Sequence, residues 1–276
     1  MFGKLLSDIS GLWAKYGTTY LQGIGNTLIL AVTATLIGCV IGFLCGILQT
    51  IPCGKKDSVI KRILLRIVRI IIRAYVELFR GTPMILQAVF IFYGLPYFFN
   101  VNFSSIWTVS ILVVSINTGA YMAESVRGGI MSIDPGQFEG AKAIGMNHWQ
   151  TMLYIILPQT LRNIMPQIGN NYIINVKDTS VMFIIGFSDF FAAHKMVAGA
   201  VFKYFPSAFI EMGGYLCMTL LASFLLRKLE KKLAGKSNYE LVNTDQLVMT
   251  AGTYNYPAEA GSPFEEVSKE YKGEGK

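Results

Sequence analysis

Charge is scarce along this chain. Lys, Arg, Asp and Glu together supply 15% of its 276 residues, and the only histidines are His148 and His194. With no HExxH spacing and no Ser/His/Asp arrangement, the sequence holds neither a catalytic constellation nor a metal cluster. The pattern GxxxxGK[ST] is also absent, so no loop here cradles a nucleotide phosphate and the chain performs no ATP chemistry itself. Cys39, Cys45, Cys53 and Cys217 lie in or beside apolar segments without CxxC or Cys/His spacing. That excludes a disulfide framework and a zinc site, and leaves small packing residues. A cleavable signal is missing too. The first twenty residues, with Lys4, Asp8, Trp13 and Lys15, lack an unbroken apolar core and read as an amphipathic surface helix over 1–20.

What the chain has instead is apolar length. Hydrophobic residues make up 53% of it, gathered into runs bounded by charged or Gly/Pro-rich stretches. Such runs are how a bilayer-spanning helix looks, because every backbone polar group must be satisfied inside its own segment. The reading is an all-α integral membrane protein with five transmembrane helices, over about 21–49, 70–93, 106–123, 164–186 and 208–226. The fourth is interrupted by Lys177 and Asp178. Gly38, Gly42 and Gly46 recur every fourth residue along the first and predict a face for close helix packing. Asn117, Asn170 and Asn171 are expected to hydrogen-bond between helices.

Basic residues orient the spans. Lys55, Lys56, Lys61, Arg62, Arg66, Arg69 and Arg73 follow the first, and Arg227, Lys228, Lys231, Lys232 and Lys236 follow the last. The connection GLPYFFNVNFSS has neither Lys nor Arg. This asymmetry puts the amino terminus outside, and the carboxyl terminus and the 124–163 connection in the cytoplasm. The net charge of +7 therefore reflects membrane-lipid anchoring, not nucleic-acid binding. Residues 21–235 form the transmembrane domain, and 236–276, polar and rich in Glu, Lys, Asn, Gly and Ser, read as a flexible cytoplasmic tail.

The cytoplasmic connection is punctuated like folded structure. Asp134 serves as a helix N-cap, Pro135 fits the first helical position, and Gln137 would complete a capping box. Gly145 is a natural helix stop, and Asn147 with Gln150 repeats the capping pattern for a short helix running toward Pro158. Two short helices with a sharp bend result, the first kept slim by Gly140, Ala141 and Ala143. Such a helix is marginal alone in water and calls for a partner surface.

Glu139-Gly140-Ala141, Gly145 after three residues, and Ile155-x-Leu157-Pro158 after nine more resemble the EAA loop of bacterial ATP-binding-cassette importer permeases. Gly140 is the one departure from E-A-A-x3-G-x9-I-x-L-P. Phe79-Arg80-Gly81-Thr82-Pro83 with Gln87, Gly136-Gln137, Pro158-Gln159 and Lys177-Asp178-Thr179-Ser180 are similar to the polar amino acid branch of that family. The resemblance implies the type I importer permease fold in a bacterial cytoplasmic membrane. It implies a permease subunit that moves a polar amino acid by alternating access, not an enzyme. It also implies partners: a pair of ATPase subunits that bind ATP and Mg, an extracytoplasmic amino acid-binding protein, and a second permease subunit, identical or homologous. Gln137, Glu139, Gly140, Ala141, Gly145, Leu157 and Pro158 would couple to the ATPase. The chain itself would carry no cofactor.

Charged groups at membrane depth face a protein interior or a water-filled cavity. Lys177 lies about 15 residues beyond Arg162, roughly 22 Å along a helix. Lys177, Asp178, Thr179 and Ser180 are therefore substrate-pathway candidates, with mutual neutralisation of Lys177 and Asp178 as the alternative. Glu77, Arg80 and Gln87 are further candidates, and the Gly-Thr-Pro beside them also suits a kink or gate. An ion-driven carrier would need two related halves with interrupted helices in both, and only one interrupted span is present.

Overall fold

The computed structural model describes residues 2–54 and 57–234, and over these it is helical throughout, without a β-strand. The tail expected over 236–276 lies outside the described residues. The helices are α1 (Phe2–Thr50), α2 (Val59–Gly81), α3 (Met84–Phe99), α4 (Ile106–Met131), α5 (Pro135–Ala143), α6 (His148–Ile185), α7 (Phe190–Val201) and α8 (Tyr204–Ala234). By length and apolarity alone, Gly3–Thr50, Ile106–Met131 and Tyr204–Lys232 can each cross a membrane. His148–Ile185 with Phe190–Val201 makes a fourth such unit, bent by 54° at a short break.

The glycine ridge of α1 packs backbone-close against α4. A Cβ built on Gly38 would lie 2.6 Å from Thr118 Cβ, one on Gly42 2.3 Å from Met122 Cβ, and one on Gly46 2.6 Å from Val126 Cγ1. Both helices advance by four residues between these contacts, so α1 and α4 run parallel, backbone close to backbone. Asn175 of α6 is bonded into this seam: its Nδ2 donates to Thr35 Oγ1 of α1 at 2.8 Å and to Thr118 Oγ1 of α4 at 2.9 Å. All three residues are buried. Asn175 carries the interhelical role expected of Asn170, which is exposed; Asn171 donates to Gln167 O of its own helix at 2.9 Å and reaches α4 through Met122 Sδ at 3.4 Å.

Register gives the direction of every long helix. Thr118 and Gly129 of α4 meet Asn175 and Ile164 of α6, so those two are antiparallel. Gly169 of α6 lies against Leu226 of α8, and Lys177 further along α6 shares a cavity lining with the earlier Glu211, so this pair is antiparallel again. Asp8 pairs with Lys203 at 2.6 Å and Tyr20 Oη with Ser207 Oγ at 2.6 Å, so α8 runs with α1.

Three expectations need correcting. Residues 2–20 are not a helix of their own, because α1 is one unbroken 49-residue helix that packs Leu12 and Tyr20 against α7 and α8. The expected second span is broken: α2 ends at Gly81, and α3 begins after Pro83, which cannot donate into the preceding turn. Finally, α7 was not anticipated. Asp189 caps it by accepting from Ala192 N at 2.9 Å, and it lies folded against Gly23 and Thr27 of α1.

The glycine seam yields a clean test. Gly42→Ala is expected to lower the thermal unfolding midpoint of the purified chain, by overpacking worth about 1–3 kcal/mol. Gly25→Ala, with open space around its added methyl, should leave the midpoint unchanged or raise it. Equal effects at the two positions would contradict the seam.

Candidate functional site

The connection after α4 folds as a compact helical element. Asp134 Oδ1 accepts from Gly136 N at 2.7 Å and caps α5, with Pro135 in its first turn. Gln137 does not close a capping box; its Oε1 instead accepts from Gln159 Nε2 at 3.4 Å, joining α5 to the start of the long α6 stretch. Gly145 takes φ +81°, a left-handed conformation that suits glycine, while Met146 N bonds back to Ala141 O at 3.0 Å. The capping box of Asn147 and Gln150 is complete, both bonds being 2.9 Å.

The second helix does not stop at Pro158. A π-helical turn over Met152–Ile156 absorbs the shift in the hydrogen-bond ladder that proline requires, and the helix continues to Ile185. Among the coupling candidates, Glu139, Gly140, Gly145 and Pro158 are exposed. Ala141 and Leu157 face inward and anchor the element. Ile144, Trp149, Leu153 and Tyr154 are exposed around the bend, each by more than half of its surface. This element thus presents small and apolar groups that its own chain does not cover.

Gln87 is a clasp across the α2–α3 break. Its Nε2 donates to Phe79 O and Thr82 O, each at 2.9 Å, and its Oε1 accepts from Asn117 Nδ2 at 3.0 Å. These bonds satisfy carbonyls that the helix end leaves without partners. Every polar atom of Gln87 is thereby engaged within the chain. Arg80 forms an ion pair with Glu124 of α4 and lies over the Tyr121 ring at 5.3 Å. Together with Glu77, Arg69, Arg73 and Arg127, this pair lines a cavity of about 570 Å³.

At Thr179 the α-helix tightens to a 3₁₀ helix, so the interruption expected at Lys177 and Asp178 is present as a change of helix type. Thr179 is fully buried and donates its hydroxyl to Val176 O at 3.1 Å, inside its own turn. Asp178 is half-buried, and among the described residues no cation lies within 4.0 Å of its carboxylate, Lys177 included. Lys177 and Ser180 instead share one side of the helix and line a cavity of about 370 Å³ with Phe191, Glu211 and Tyr215. Asn175, knotted to α1 and α4 two residues earlier, sets the rotation of this turn. Thr118, to which Asn175 is bonded, stands midway along α4. Sequence reasoning missed Glu211, although a lone carboxylate within the last apolar run was a legible signal.

Replacing Gln87 by Leu keeps the bulk and removes the clasp. The cost is expected to be about 1–3 kcal/mol for each buried group left unpaired, seen as a lower unfolding midpoint of the purified chain. An unchanged midpoint would show that the break is held by other contacts.

Residues 58–235 match the family described as the binding-protein-dependent transport system inner membrane component. The glutamine transport system permease protein GlnP of Escherichia coli strain K12 is 32% identical over 226 residues, covering 82% of this chain and 97% of that protein. The putative counterpart of Rickettsia felis is 33% identical, covering 77% of this chain and 91% of its own length. Among solved structures, an amino acid ABC transporter with histidines shares 32% identity at a TM-score of 0.69, over 79% of this chain and 96% of that one. An inward-facing MetNI methionine ABC transporter, 18% identical with a TM-score of 0.64 over 78% of this chain and 96% of that one, shares the fold. These relatives are membrane components of transporters and not enzymes. A helical membrane chain with an EAA-like connection and this fold thus belongs to the binding-protein-dependent transport system inner membrane components, as an ABC importer permease of the polar amino acid type.

Proposed function

We propose that the chain moves a polar amino acid inward by alternating access, driven by a pair of separate ATPase subunits. The observation that carries the reading is the continuity of α6, which runs without a break from the EAA-like element to the polar turn at Lys177–Ser180. A push on the exposed bend is delivered along one helix to the cavity wall. The names of the relatives support an amino acid as cargo, with glutamine and histidine the first compounds to assay.

Helix directions support five crossings with the amino terminus outside. Because α1 and α4 run parallel, α2 and α3 together must return across the bilayer between them. α6 then runs back, and α8 follows the direction of α1. The arginines of α2 and the lysines ending α8 fall on one side, which the positive-inside rule makes cytoplasmic. Asp57, at the start of that basic segment, is held below the usual carboxylate range by the hydrogen bond from Lys61 and then by that from Gly54 N.

Within this reading the exposed Gln137, Glu139, Gly140, Gly145 and Pro158 meet a cleft of the ATPase, with Ala141 and Leu157 holding the element from behind. The amino acid arrives from an extracytoplasmic binding protein, and a second permease subunit completes the pathway. ATP and Mg belong to the ATPase. Lys177, Asp178, Thr179 and Ser180 form the substrate segment, in which Thr179 secures the turn while Lys177 and Ser180 face the cavity. Glu77 and Arg80 serve the gate at the α2–α3 break, and Gln87 holds that break in shape.

Two variants test the proposal in vesicles holding the assembled transporter. Glu139→Trp, on an exposed position, is expected to leave ATP hydrolysis running while uptake falls at least about tenfold; uptake at the wild-type rate would refute the coupling role. Asp178→Asn should raise the KM for the amino acid without loss of assembly. Full rescue by Lys177→Met combined with Asp178→Asn would make the two residues a structural charge pair.

A further inference from the structure

We propose that Glu211 accepts the α-ammonium group of the transported amino acid, with His194 as the residue that positions its carboxylate. The inference deepens the transport reading above and rests on it. Glu211 lies on α8 and shares the lining of the 370 Å³ cavity with Lys177 and Ser180 of α6. That volume is at the lower end for small-molecule sites and suits a small solute. The walls offer one carboxylate, one ammonium, a serine hydroxyl and the Phe191 ring. Opposite charges from two helices lining one cavity match a zwitterion, whose ammonium would meet Glu211 and whose carboxylate would meet Lys177.

The carboxylate is unspent. Its Oε2 stands 3.7 Å from His194 Nε2, too far for a direct hydrogen bond, and no lysine or arginine lies within 4.0 Å among the described residues. Lys195, the next cation along the chain, is turned to the Tyr204 and Phe191 rings, at 5.1 and 5.5 Å. Asp189, the other nearby carboxylate, is consumed: it caps α7 through Ala192 N and accepts from Tyr215 Oη at 3.3 Å. Among the described residues lining the cavity, Glu211 is the one carboxylate, and it keeps acceptor capacity. Burying a carboxylate without a partner is costly, which favours an arriving cation.

His194 is fully packed and held from behind. Its Nδ1 is 2.9 Å from Ser207 Oγ, and that oxygen is 2.6 Å from Tyr20 Oη on α1. All three residues are buried. The chain Tyr20–Ser207–His194 thus fixes the imidazole against Glu211 and limits where the carboxylate can point.

The test uses vesicles containing the complete transporter, with labelled glutamine and its N-acetyl derivative as probes. Glu211→Gln is expected to raise the KM for glutamine roughly ten- to hundredfold while kcat holds, and to shrink discrimination against the N-acetyl compound. His194→Gln should raise the KM less and leave that discrimination largely intact. Glu211→Asp keeps the charge, assembles, and should lie between wild type and Glu211→Gln, so a misfolded Gln variant does not close the question. An unchanged KM in Glu211→Gln, or full rescue by combining it with His194→Gln, would overturn the proposal and leave a structural pair. If Lys177→Met raises the KM while no Glu211 variant does, the substrate cavity stands and only the role of Glu211 falls. Absence of uptake by the wild-type complex for any amino acid would overturn both readings.

Discussion

The parallel seam between α1 and α4 is the contact on which the remaining structure rests. Three glycines at four-residue spacing bring the two backbones so close that even one methyl group would collide with Thr118, Met122 or Val126. In a bilayer no hydrophobic force drives helices together, because lipid tails are as apolar as leucine. Close packing and interhelical hydrogen bonds must do that work. The seam supplies the first, and Asn175, bonded at once to Thr35 and Thr118, supplies the second. A third helix is thereby pinned at a single rotation and height.

From that pin the long helix α6 extends both ways. Toward one end it passes a π turn and reaches the capped bend at Gly145; toward the other it tightens into the 3₁₀ turn that presents Lys177 and Ser180 to the cavity. The element resembling a coupling loop and the polar cavity are therefore parts of one helix pinned at Asn175. The α2–α3 break stands opposite, held by Gln87, with the Arg80–Glu124 pair tying it to α4. Outside this frame the large apolar side chains of α1 and α8, such as Val40 and Leu220, remain exposed, as a lipid-facing surface requires.

Much of this was legible from residues alone. Glycine spacing foretold the α1 packing face, Asp134, Gly145 and the Asn147–Gln150 pair foretold the two short capped helical segments with a bend between them, and two adjacent charges foretold the interruption of the fourth apolar run. Each is a local signal with one physical meaning. What sequence could not give was tertiary choice. Gln87 read as a weaker pathway candidate beside a kink or gate, and the neighbouring carbonyls of Phe79 and Thr82 show how it holds that break. Thr179 and Ser180 are adjacent and alike, yet the turn buries one and opens the other to the cavity. Helix α7 was hidden because its 12 residues are too few to span a bilayer and include His194 and Lys195, so they read as part of a connection. Pro158 misled in the opposite sense, since a π turn lets the helix pass where proline ordinarily ends it.

The central claim is that one helix carries an ATP-driven movement to a cavity that opens alternately to either side. A single cysteine at Ser180, in an otherwise cysteine-free chain reconstituted with its ATPase subunits, reads that directly. The account predicts that a membrane-impermeant thiol reagent reaches it from one side without nucleotide and from the other side when ATP is trapped. Labelling from the same side in both states, with ATP hydrolysis intact, would contradict it.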